Sequence, residues 1–134
     1  MSFEYWPIVG YGIAVEPDFI NFGKAAKLLR KYDIDPEDRD VYSFLEALFK
    51  ETVAKLPPGP VHHLIYGFEG EMGGSVYLYL PSHLPWEMKE DYRRLTPEDV
   101  AEAIANLLAP YLADGISKED IKRRVGEIFS VGCG

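Results

Sequence analysis

Cysteine is nearly lacking: one residue, Cys133, stands between Gly132 and Gly134. A single thiol excludes an intrachain disulfide, and with it the stapled scaffold of many small secreted domains. It equally excludes a Cys-x-x-Cys metal knuckle. Long apolar runs are missing too, and no stretch approaches the ~20 residues that a membrane-spanning helix needs. The opening residues lack a charged and then apolar leader. Together these absences lead us to expect a soluble protein in a reducing, cytoplasmic compartment. Positive charge is also scarce, with 14 Lys and Arg against 22 Asp and Glu and a net charge of -8. Nucleic-acid affinity depends on cationic neutralisation of phosphates, so direct nucleic-acid partners are not expected.

What remains is a balanced globular composition. Hydrophobic residues make up 47% of the chain and charged residues 27%, enough to build one core without a metal or disulfides. We therefore expect a single domain over residues 1–134.

Val9, Tyr11, Ile13 and Val15 alternate along an opening strand, with Gly10, Gly12 and Ala14 on its other face. A glycine face of this kind marks a bulge or a close approach by a packed helix. Gly10-Tyr11-Gly12 is not a phosphate loop, because no third glycine and no Gly-Lys-Ser/Thr follow. A helix capped by Asp18 or Asn21 is expected to run to about Tyr32. Asp35 is placed as the next N-cap, with Pro36 at the first helical position. Val41, Phe44, Leu45, Leu48, Phe49, Thr52, Val53 and Leu56 fit one helical face. Glu46 with Lys50, and Glu51 with Lys55, are spaced for ion pairs on its solvent side.

Leu56-Pro57-Pro58-Gly59-Pro60 stops that helix. Val61–Phe68 and Ser75–Leu80 then read as the strands of a hairpin. On the second strand Tyr77 and Tyr79 share a face, lying either under a helix or in an exposed aromatic surface. Residues 81–88 have no period. Thr96-Pro97-Glu98-Asp99 opens a third helix lined by Val100, Ile104, Leu107, Leu108, Tyr111 and Leu112, which Pro110 must kink or interrupt. Ser117-Lys118-Glu119-Asp120 opens a last helix, on which Ile121, Val125, Ile128 and Phe129 form the inner stripe. The element order is β-α-α-β-β-α-α, and the expected class is α+β, an antiparallel sheet of about three strands packed by about four helices.

Motifs for chemistry are absent. His62 and His63, adjacent on an expected strand, point to opposite faces and do not ligate one metal. With His83 they supply no His-Glu-x-x-His, and no spaced carboxylate set accompanies them. The carboxylates at residues 33–38 lack the glycine and terminal glutamate of a calcium loop and read as helix initiation. Cys133, flanked by glycines at a chain end, lacks the rigid support that a nucleophile requires. The sequence thus names no catalytic residue, no cofactor and no metal. The segment Trp6-Pro7-Ile8-Val9-Gly10-Tyr11-Gly12-Ile13 resembles the start of uncharacterised small acidic proteins of bacteriophage and prophage genomes. That resemblance implies a mobile-element origin and assigns no functional residue.

The expected function is a non-enzymatic protein-protein interaction module. Trp86 and His83 in a Pro-bounded loop, with Tyr77 and Tyr79 on one strand face, are the expected contacts, because Tyr and Trp dominate binding hot spots. An acidic inhibitor or nucleic-acid mimic of a basic partner is the first alternative; it requires Asp33, Asp35, Glu37, Asp38 and Asp40 to share a surface with Glu87, Glu90 and Asp91. A small hydrolase or metal-binding protein is the second.

Overall fold

The computed structural model describes residues 4–57, 60–70, 74–81 and 95–133. β1 (Tyr5–Val15) is the spine of its sheet. β2 (Ile65–Phe68) and β3 (Val76–Pro81) form an antiparallel pair, and β3 then pairs with β1 from Gly10↔Pro81 to Val15↔Val76. On the other flank of β1 lies β4 (Gly126–Cys133), antiparallel from Tyr5↔Cys133 to Gly12↔Gly126. The fold is α+β, and its four strands stand in the order β2-β3-β1-β4.

The fourth strand corrects the reading of the last helix. α4 (Lys118–Arg124) stops where Val125 takes extended dihedrals, and Gly126 opens β4. Ile128 and Phe129 would share one face of a helix. Here they are split, with Ile128 8% exposed and Phe129 86%, the period-2 alternation of a strand.

The other helices among the described residues are α1 (Ala26–Lys31), α2 (Val41–Glu51) and α3 (Pro97–Leu108). α1 is shorter than expected: Asn21 Oδ1 accepts the Lys24 N–H at 3.1 Å in the turn that precedes it. α2 begins later than Asp35. That carboxylate caps only a 3-10 turn over Pro36–Asp38, after which Arg39 enters the left-handed region at φ 49°. Asp40 then takes the N-cap, accepting the N–H groups of Tyr42 and Ser43. Both expected capping boxes form, Thr96 with Asp99 and Ser117 with Asp120. Pro110 lies in a 3-10 turn just beyond α3. Val61, His62 and His63 also form a 3-10 turn and not the start of β2.

The main core lies between the helices and one face of the sheet. Phe44, Leu45 and Leu48 of α2 and Ile104 and Leu108 of α3 pack with Ile13, Val15 and Leu78. On the opposite face Ile8, Tyr79 and Ile128 form a second, smaller cluster, with Trp6 and Tyr77 packed against it. The sheet curls toward this second face. Although β2 and β4 are its opposite edges, the Cys133 N–H donates to Glu69 O at 2.7 Å, just past the end of β2. The Trp6 Nε1–H donates to Phe68 O at 3.1 Å across the same gap. The glycine face of β1 permits this curvature. A Cβ at Gly12 would overlap Tyr79, and one at Gly10 would overlap the backbone at Leu80. The close neighbour is therefore strand β3, where a helix was also an expectation. Among the described residues, no helix is long and apolar enough to cross a membrane.

Candidate functional site

Two features stand apart from ordinary packing, one inside the curl of the sheet and one outside. Inside it, Glu69 extends its carboxylate between β3 and β4. It accepts hydrogen bonds from the Tyr77 hydroxyl and, at 3.1 Å, from the Ser130 hydroxyl. The Tyr77 bond is the chief cause of a carboxyl pKa below its usual value; partial burial opposes it, while Ser130 and the Ser75 backbone assist. The same bond raises the Tyr77 pKa. Glu69 is thus held ionised as an acceptor, and its two hydroxyl partners are both occupied. Through these bonds Glu69 fastens the hairpin to β4, and a lowered pKa does not suit it to give up a proton as a general acid at neutral pH.

Outside the curl, the odd-numbered residues of β4 and of the first half of β1 share one face through the pairs Pro7↔Val131 and Val9↔Phe129. Farther along β1 the same face carries Tyr11, Ile13 and Val15, which join the main core. Among the described residues, the helices do not reach the other end. Tyr5 is left 69% exposed, Val131 53% and Phe129 86%, and Pro7 is exposed as well. The result is a contiguous apolar and aromatic stripe across two paired strands, where a scattering of single exposed residues would be unremarked.

Two of the expected contact residues, Tyr77 and Tyr79, fall elsewhere. Tyr77 and Tyr79 do share a face, but it is the inner one. Tyr79 is 5% exposed, packed with Ile8 and Ile128, and burial raises its pKa. Tyr77 is half-buried with its hydroxyl on Glu69. Among the described residues these two rings therefore lie under no helix, and they are not on an exposed aromatic surface, because the curl of the sheet faces them. His83 and Trp86 lie outside the described residues, as do Glu87, Glu90 and Asp91. Phe129, Val131 and Tyr5 were missed. The signal for them was the alternation of Ile128, Ser130 and Gly132 with Phe129 and Val131 after a helix-breaking glycine.

Several other polar side chains are already partnered. Asp35 Oδ1 accepts the Glu37 N–H, Asp40 Oδ1 accepts the Tyr42 and Ser43 N–H groups while its Oδ2 accepts the Ser43 hydroxyl, and Asp18 pairs with Arg39 at 3.3 Å. On α4, Lys122 pairs with Glu102 and Glu119, Arg123 with Asp120, and Arg124 lies over the Phe19 ring. The His62 Nε2–H donates to Leu56 O at 2.6 Å. No group of three His, Cys, Asp or Glu side chains is placed to hold a metal among the described residues. A groove of about 540 Å³ between α2 and α3 is walled by Leu48, Val61, Ala103 and Leu107. Of its two carboxylates, Asp99 is bound in its capping box and Glu102 pairs with Lys122. No protein-family model, curated protein or solved structure matches the chain.

Proposed function

We propose that the chain is a non-enzymatic protein-interaction module that binds through the β1/β4 stripe. The observation that carries this reading is Phe129, a large aromatic 86% exposed on a regular strand beside exposed Val131. An aromatic held by a paired strand is already ordered, so little conformational entropy is lost when a partner encloses it. Such a residue can contribute on the order of 2 kcal/mol or more to binding. The partner is a protein with an apolar patch and a neutral or basic rim, because a chain of net charge -8 disfavours an acidic one.

The test is affinity capture from the native host with three baits: wild type, Phe129→Asp and, as a distant surface control, Lys27→Ala. A partner held by wild type and Lys27→Ala but lost by a folded Phe129→Asp supports the reading. A partner held equally by all three overturns it.

A further inference from the structure

β4 offers a second means of attachment, its backbone edge. The Cys133 N–H points away from β1, toward Glu69 O. β4 pairs with β1 in one unbroken register, so strand alternation turns the N–H and C=O groups of Val131, Phe129 and Glu127 outward as well. Among the described residues, Cys133 is the one position of β4 whose outward N–H meets another backbone carbonyl. Monomeric sheets blunt such edges with lysine, proline, bulges or inward-pointing charge. The strand Gly-Glu-Ile-Phe-Ser-Val-Gly-Cys carries none of these, and its single charge, Glu127, is exposed.

We propose that β4 is the seam of a two-fold homodimer, in which it pairs antiparallel with β4 of a second copy and joins two sheets into one. This inference shares a strand with the interaction reading but uses its backbone edge; it sets Phe129 beside its copy and leaves Tyr5 and Pro7 of the apolar face free. A two-fold seam must be self-complementary, and the outward groups restrict where its axis can pass. An axis at Ser130 would set Glu127 against the partner's Cys133, whose outward N–H is already given to Glu69. An axis at Ile128 would set Val131 against the partner's Val125, which is buried and outside the strand. An axis at Phe129 uses residues 127–131 alone. It stacks Phe129 on its own copy and sets Glu127 against the partner's Val131, so that no carboxylate faces another across the seam. A second copy thus matches in length, register and charge. The stripe then runs unbroken from Tyr5 and Pro7 across the seam to their copies.

Sedimentation equilibrium of the full chain, at micromolar and near-millimolar concentration, reads the mass directly. Wild type is expected at twice the mass of one chain. Val131→Pro removes an outward N–H without touching the β1 ladder and is expected to shift the mass to that of one chain. In a Cys133→Ser background, oxidised Phe129→Cys is expected to form a covalent dimer, because directly opposed strand positions lie within disulfide reach. Val131→Cys in the same background is not, since its counterpart is Glu127. The cross-linking pair decides the seam even where Val131→Pro does not fold. A wild-type monomer at both concentrations overturns the proposal, whatever foreign strand binds the edge; so does a dimer that cross-links equally at both positions. A monomer whose captured partner is lost by Phe129→Asp overturns the seam and leaves the interaction reading standing. A dimer with this seam whose partner ignores Phe129→Asp does the reverse.

Discussion

The indole of Trp6 lies directly over Gly132, its cross-strand partner, so that a Cβ added at Gly132 would overlap the ring. The same indole donates from Nε1 to Phe68 O, which makes the missing side chain at 132 a condition for closing the curl. Gly132→Ala is expected to displace Trp6 and to cost ~1–3 kcal/mol, the usual range for overpacking. Gly126, in the same strand, has open space where its Cβ would stand. Gly126→Ala is therefore the control, expected within about 0.5 kcal/mol of wild type. Equal denaturation midpoints for the two variants would remove the special role given to Gly132.

Phe44 and Leu48 sit at the centre of the α2 stripe, and both are buried in the main core. Phe44 meets the rings of Phe22 and Tyr111 edge to face. Truncation removes those contacts and leaves a cavity, so Phe44→Ala is expected to cost ~3–5 kcal/mol and Leu48→Ala ~2–5 kcal/mol. Chemical denaturation measures both, and wild-type midpoints would mean that α2 does not face the core.

Those two residues also show what was legible from the sequence. The α2 stripe repeats over consecutive turns, and the capping boxes at Thr96 and Ser117 lie within four residues, so local pattern carries them. The start of α2 was less legible, because Asp35-Pro36 and Asp40 are both sound helix starts and the left-handed turn at Arg39 decides between them. β4 was misread because Ile128 and Phe129 extend a helical spacing begun at Ile121 and Val125. Its true partners, Val9 and Gly10, lie at the other end of the chain, beyond the reach of any local pattern. For Tyr77 and Tyr79, alternation gave a shared face but not the curl that covers it. The exposed stripe depends on how far the helical layer extends along β1, a tertiary quantity with no sequence signature.

Tyr77 and Ser130 reach one carboxylate, Glu69, from different strands, so their contributions should not be independent. Tyr77→Phe keeps the ring and removes the donor, with an expected cost of ~1 kcal/mol, and Ser130→Ala removes the second donor at ~0.5–1.5 kcal/mol. With either hydroxyl present the carboxylate keeps one side-chain donor; with both gone it keeps none. The double variant is therefore expected to be less stable than the sum of the singles by ~0.5 kcal/mol or more. Strict additivity in the double-mutant cycle would show that Glu69 does not couple the hairpin to β4.

Glu51 fixes the sign of one pH dependence. Its carboxylate accepts from Lys31 at 2.7 Å, from the Tyr32 hydroxyl at 2.7 Å and from Lys55 at 3.0 Å. These bonds, Lys31 foremost, lower its pKa from 4.5 to about 2. In the unfolded chain the group returns to its ordinary value, so the unfolded state binds the proton first as the solution is acidified. The stability contributed by the cluster is then fully present above pH 4.5 and is lost as pH falls toward about 2. Lys31 and Lys55 are exposed, so solvent screens the pairs and the slope is shallow. Glu51→Gln cannot titrate. It should be less stable than wild type above pH 4.5, and the gap between the two should narrow across the window below. Urea midpoints measured along that pH series check this, and a gap that stays constant would show that Glu51 holds no preferential charge in the folded state.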